Sequence, residues 1–227
     1  MTNTASPLDR PIWHSLTGRH AALAIGDALA VRFRPEVNLF GAAVDASPAA
    51  CAALAALIEE GGTLGVLEAE SVPPLPGTVV VSERRIDQMV ATRLNRAARG
   101  VDMVPLGDVD ADEMLALATL TAPGPFFGST HRQGGYVGVR RHGRLVAMAG
   151  ERMKVAGFSE ISAVCTHPDH RGQGFARALM EAVLAPLLER GEGVFLHTYP
   201  DNPAVALYRA LGFAVRRQMT YTVVARG

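Results

Sequence analysis

Strand-like and helix-like segments alternate along this chain, and the alternation predicts an α/β fold. Three observations carry the expectation. The chain has 227 residues, 48% of them apolar, enough to bury a full core as one large α/β domain or as two small ones. Short apolar runs are joined by glycine-containing turns at Gly26-Asp27 and His142-Gly143, which reads as hairpins. The apolar run Ser159 to Thr166 passes through a turn holding Gly172 and Gly174 straight into an amphipathic segment, the pattern of a strand leading into a helix.

In chain order, Ala21 to Ile25 and Leu29 to Phe33 form the first hairpin. Ser47-Pro48 opens an alanine-rich helix that Gly61-Gly62 closes. A strand near Thr63 to Glu68, a proline-rich turn at Pro73 to Pro76 and a basic helix near Ile86 to Ala98 follow. Val101 to Leu106 reads as a strand, and Asp110-Ala-Asp-Glu113 caps a helix through Leu120 with acidic residues at its positive end. After the loop from Ala122 come the strands Tyr136 to Arg140, Leu145 to Arg152 and Ser159 to Thr166. A helix from Arg177 to Arg190 has Gly191 past its end and Pro186 inside it, which predicts a kink or an early change of direction. Val194 to Thr198 and Met219 to Val224 are the last strands.

Charge and cysteine content exclude several classes. Lys plus Arg and Asp plus Glu both total 22, so net charge gives no reason to expect nucleic acid or an anionic membrane as partner. The apolar run Pro48 to Ile58 is too short to span a bilayer, and the first residues lack the apolar core of a secretion signal, which makes the cytoplasm the expected location. Cys51 and Cys165 are the two cysteines, with no Cys-x-x-Cys, and His167 and His170 suggest no third ligand. Two free thiols and no metal are expected.

The segment Thr166-His-Pro-Asp-His-Arg-Gly-Gln-Gly-Phe-Ala-Arg-Ala-Leu179 carries the chemistry. The first N–H groups of a helix have no intrahelical partner and lie at the positive end of its dipole, so such a turn is an anion cradle. Gly172 and Gly174 let a bulky ligand approach the backbone, small Ala176 keeps the helix start open, and Arg171 and Arg177 add charge suited to phosphate oxygens. A nucleoside-triphosphate loop is excluded because no Lys followed by Ser or Thr is supplied. A dinucleotide fingerprint fits weakly because its last glycine position is Arg177. The pattern R-x-x-G-x-A, met by Arg171, Gly174 and Ala176, resembles the acyl-coenzyme A pyrophosphate loop of the GNAT superfamily of N-acetyltransferases.

A second block, Asp201-Asn-Pro-Ala-Val-Ala-Leu-Tyr-Arg-Ala-Leu-Gly-Phe213, reads as a short helix with Asn202 as N-cap, Pro203 at its first position and Gly212 at its left-handed end. It is similar to the N-x-x-A-x-x-L-Y-x-x-x-G-F region of the same superfamily, which makes Tyr208 the counterpart of the catalytic tyrosine. The family usually has seven residues from Asn to Tyr where this chain has six, so either Asn202 has shifted or Asp201 takes its place.

The resemblance implies a GNAT-like α/β (α+β) architecture: a twisted mixed, mostly antiparallel sheet with flanking helices. Two neighbouring parallel strands, Ser159 to Thr166 and Val194 to Thr198, splay apart to admit pantetheine. It covers residues 159–213 closely and extends loosely from about 101. The expected division is a GNAT domain over 101–227 and an N-terminal accessory region over 1–100, the latter either a degenerate GNAT-like half or a plain accessory. Function is expected to be transfer of an acetyl group from acetyl-CoA to a primary amine by direct attack in a ternary complex. The alternative is a non-catalytic CoA-binding regulatory or interaction module.

By the same resemblance, pyrophosphate rests on Arg171 and the backbone of Gly172, Gln173, Gly174, Phe175, Ala176 and Arg177, with Asn202 a further coenzyme contact. Pantetheine pairs with Val164, Cys165 and Thr166. Tyr208 serves as acid for the thiolate, and Glu160, or else Glu151, as base. Cys165 is not expected to be a nucleophile, since a covalent thiol needs a lowered pKa and an adjacent base. The acceptor, a small amine or a peptide amine, is expected over the loop 122–135, with Phe126, Phe127 and His131 as candidate lining. A homodimer is compatible with the sequence.

Overall fold

The computed structural model of the chain describes residues 6–96 and 100–227. A short helix α1 (Pro11–Leu16) leads into a three-stranded meander of β1 (Ala24–Gly26), β2 (Ala30–Phe33) and β3 (Gly41–Ala43). The hairpin expected at Gly26-Asp27 is present, with the Asp27 carboxylate accepting from the N–H groups of Leu29 and Ala30. Helix α2 (Pro48–Ala56) begins at Ser47, whose hydroxyl accepts from the N–H of Ala50, as its Ser-Pro start predicts.

The remaining strands build the main sheet. They are β4 (Thr63–Glu68), β5 (Thr78–Ala91), β6 (Val104–Leu106), β7 (Tyr136–Arg141), β8 (Arg144–Val155), β9 (Phe158–Thr166), β10 (Gly193–Thr198) and β11 (Ala214–Arg226). Their order across the sheet is β4-β11-β5-β10-β9-β8-β7-β6. Only β9 and β10 run parallel among the described residues, so the sheet is mixed and mostly antiparallel. Helices α3 (Ala111–Thr121), α4 (Phe175–Glu189) and α5 (Val205–Leu211) flank it. Leu179, Met180 and Leu184 of α4 are fully buried against Val139, Ala147, Met89 and Val194 of four different strands.

Two expectations are corrected. Ile86 to Ala91 is not helical but the second half of β5, hydrogen-bonded to β11 on one side and β10 on the other; Ala97 and Ala98 lie outside the described residues. The apolar residues Ile86, Met89 and Val90 fall at helical spacing, and pairing on both flanks overrides that local signal. Helix α4 runs through Pro186 to Glu189. The proline sits in the last turn, between the fully buried Leu184 and Leu187, where it removes one bond without breaking the packed face. The helix then closes as predicted, with Gly191 left-handed and the N–H groups of Gly191 and Glu192 bonded to Leu188 and Leu187.

The position of β5 ties the first hundred residues to the rest. Strands β10 and β11 follow one another around α5, yet they do not pair; β5 is inserted between them. Residue 100 is therefore no edge of the sheet, since β4 and β5 lie within it.

Helix α5 ends in a double capping pattern. The Phe213 N–H donates to the Tyr208 carbonyl and the Gly212 N–H to that of Arg209, with Gly212 at φ 113°. A Cβ at Gly212 would stand 2.6 Å from the backbone oxygen of Arg93. Gly212→Ala is accordingly expected to cost about 1–3 kcal/mol from backbone strain and crowding, read as a lower denaturant midpoint with unchanged slope.

Candidate functional site

The parallel pair β9 and β10 is joined only at its beginning. Phe158, Ser159 and Glu160 face Gly193, Val194 and Phe195, and beyond Glu160 the two strands part while each keeps its outer neighbour. The splay implied by the sequence is present. A bulge on β9 accompanies it: the register to β8 slips between Ser162 and Cys165, and Ala163 is left-handed at φ 52°. Past the bulge, the His167 N–H bonds back to the Val146 carbonyl of β8. By strand alternation the N–H groups of Thr166 and Val164 then face the gap, the orientation needed to pair with an extended ligand.

Below the gap, Val164 to Thr166 and Arg171 to Arg177 line one cleft, which brings together ten of the predicted binding residues. Gly174 is the N-cap of α4 at φ 79° and no side chain caps the helix start. Gly172 is left-handed at φ 75°, and a Cβ at either glycine would meet nothing within 4 Å. Arg171, Gly172, Gln173 and Gly174 are exposed. Open glycines, uncapped N–H groups and a 15-residue helix behind them suit an anion such as a diphosphate, so the residues fit the coenzyme the sequence implies. The Phe175 ring is buried under the Arg141 guanidinium, which lies 5.0 Å from the ring centre, and anchors the turn.

A second cleft opens on the other side of Tyr208 and Val164, which line both. Phe40, Ile86, Pro123, Leu196, Tyr199 and Tyr221 form much of its wall. Tyr208 is held by the α5 cap and by an edge contact to Phe213 at 6.4 Å between ring centres. Burial pushes its hydroxyl pKa up, so it keeps its proton at neutral pH.

Glu160 departs from expectation. It stands at the fork, but its carboxylate is fully buried and does not line either cleft. The Arg152 Nε and Nη2 donate to its two oxygens at 2.8 and 2.7 Å, and the His197 Nδ1 lies 2.7 Å from Oε1. Burial alone would raise this carboxyl; the Arg152 guanidinium and the His197 hydrogen bond outweigh it and hold it down at about 2. His197 Nε2 is 3.1 Å from the Gln88 amide nitrogen, so the ring carries its proton on Nδ1 and accepts at Nε2. The alternative, Glu151, is paired with Lys154 at 2.7 Å and also lines neither cleft.

Two further expectations shift, on Asn202 and on the loop, while Cys165 behaves as expected. The Asn202 side chain accepts from the Ala204 N–H at the start of a turn, α5 beginning at Val205 instead of Pro203, and Asn202 lines the second cleft rather than the coenzyme cleft. Loop 122–135 reaches the second cleft through Pro123, Gly124 and Pro125; Phe126 packs against Tyr136 and His131 is buried against Asp108. Cys165 is buried, and desolvation pushes its thiol up to about 11, unsuited to nucleophilic attack. Arg152 and His197 were not foreseen, since no spacing links residues drawn from separate strands. No helix is long and apolar enough to cross a membrane, and no group of three or more His, Cys, Asp or Glu that could hold a metal occurs, among the described residues.

Glu160→Gln would leave the Arg152 charge buried without its partner, which is expected to lower stability by about 3–5 kcal/mol. Because the folded carboxyl is depressed, its contribution is full above the unfolded value of 4.5 and is lost as pH falls toward about 2. Urea titrations between those limits check this: the wild-type midpoint falls with pH, and the variant lacks that component.

The model for FR47-like proteins matches residues 136–223. No curated protein matches the sequence. A solved structure assigned to the GNAT family as an acetyltransferase, from Novosphingobium aromaticivorans DSM 12444, is 41% identical, covers 98% of this chain and 99% of its own, and superposes at a TM-score of 0.91. A GCN5-related N-acetyltransferase from Kribbella flavida shares the fold at a TM-score of 0.67 and 19% identity, over 100% of this chain and 97% of its own. With the forked sheet, the open glycine turn and a 41% identical relative along nearly its whole length, the chain belongs to the GNAT superfamily of acetyltransferases.

Proposed function

We propose that the protein transfers an acetyl group from acetyl-CoA to the nitrogen of a primary amine, directly and without a covalent enzyme intermediate. One observation carries the reading: Tyr208 and Val164 border both clefts, so a thioester lying along β9 and an amine entering from the opposite side would meet beside a protonated phenol. Arg171 and the backbone of Gly172 to Arg177 hold the diphosphate. The N–H groups of Val164 and Thr166 pair with the pantetheine arm, and one of them polarises the thioester carbonyl.

Acetyl-CoA supplies the activated acyl group, and the chain aligns and protonates. As the nitrogen–carbon bond forms and the carbon–sulfur bond breaks, the Tyr208 hydroxyl gives its proton to the departing sulfur. The amine releases one proton to water, and Tyr208 regains one from it. The products are an amide and free coenzyme A. Glu160 is a positioning residue in this scheme, because a carboxylate locked to Arg152 has no lone pair aimed at the acceptor.

Tyr208→Phe is expected to lower kcat by about a hundredfold or more while leaving coenzyme A affinity nearly unchanged, checked by thiol release and calorimetry. Unchanged turnover removes Tyr208 from the chemistry. Cys165→Ala is expected to stay active with sequential kinetics, and a ping-pong pattern lost in that variant would overturn direct transfer. Coenzyme binding with no thiol release on any amine would instead favour a regulatory module.

A further inference from the structure

Among the described residues, the lining of the acceptor-side cleft offers no carboxylate and no histidine with a free ring nitrogen. Among the described residues lining it there is no Asp or Glu. Its titratable side chains are Arg152, His197, Tyr199, Tyr208 and Tyr221. Arg152 is a cation already matched by Glu160, so the pair sums to no charge. His197 is engaged at both ring nitrogens, by Glu160 and Gln88, and its side chain is 3% exposed.

An alkylammonium entering this space loses water and gains no counter-charge from the lining. The cleft therefore selects the neutral amine, and no side chain among the described residues lining it is free to create one. Supply of nucleophile then depends on how readily the acceptor sheds its own proton in water. At pH 7.5 an α-amino type group, with a pKa of about 8, is neutral about two-hundredfold more often than a lysine-type amine, with a pKa of about 10.4. The walls add a second constraint, since Phe40, Ile86, Leu67, Tyr199 and Tyr221 present aromatic and aliphatic surface to the body of the ligand.

We propose that the acceptor is a weakly basic primary amine carried on an aromatic or apolar body, of the α-amino type, and that lysine-like amines and polyamines are excluded. The inference rests on the acetyltransferase reading above, and it assigns that site its substrate class.

The test is thiol release from acetyl-CoA at pH 7.5 with four acceptors on the full-length wild-type protein, after calorimetry with coenzyme A. The acceptors are 2-phenylethylamine, its 2,2-difluoro analogue, phenylalanine amide and spermidine. Fluorine lowers the basicity of the amine while keeping the same ring and chain length. The expected result is a kcat/KM for the difluoro compound and phenylalanine amide at least about tenfold above that of 2-phenylethylamine, with spermidine at background. Equal values, a reversed order or turnover of spermidine would overturn the substrate class and leave acetyl transfer standing. Coenzyme binding with no release on any of the four would overturn it too. Absence of coenzyme binding would bring down the acetyltransferase reading itself, and this inference with it.

Discussion

The buried cluster of Arg152, Glu160 and His197 sits where the main sheet forks, and the site depends on it. Glu160 is the last residue of β9 still paired with β10, and His197 lies two positions beyond the last paired residue of β10. Arg152 comes from β8. Three neighbouring strands are thus cross-linked by charge-assisted hydrogen bonds at the point where the backbone ladder between two of them stops. A parallel pair that parts would otherwise leave the fork free to slide. The cluster sets where the gap begins, and so where an extended ligand can be held.

The same network reaches the first residues of the chain. Gln88 of β5 contacts His197, donates to the Leu8 carbonyl and accepts from Arg216, which in turn pairs with Asp9. With β5 wedged between β10 and β11, the N-terminal half supplies a structural wall of the second cleft through Phe40, Leu67 and Ile86. It is part of the site's construction, although it holds none of the coenzyme motifs.

What the sequence made legible follows from how local each feature is. The glycine turn, the α4 start and the α5 ending are written in consecutive residues, because anion binding at a helix start and left-handed caps are backbone effects. Most strands were readable from their apolar runs and glycine turns. β5 was not: its exposed Val79, Val80 and Val81 give no alternation, and Ile86, Met89 and Val90 imitate a helical stripe. The charged cluster was illegible for a related reason. Its members lie on three strands, and only their burial, created by the assembled sheet, turns a carboxylate that sequence reading offers as a base into a fixed counter-ion.

Tyr208 shows how the two kinds of information combine. Its place in the chain is set by the short helix, and its orientation by the cap in which its own carbonyl accepts from Phe213, whose ring then abuts its side chain. The left-handed Gly212 makes that cap possible. A phenol fixed in this way, with its proton retained by burial, stands on the boundary between a cleft built from backbone donors and a cleft built from side-chain surface. The first cleft can be general to a family, because a diphosphate and a pantetheine arm need only N–H groups and open glycines. The second depends on more of the fold, because its apolar wall and matched charge pair come from residues on separate strands and loops that lie outside the two sequence motifs.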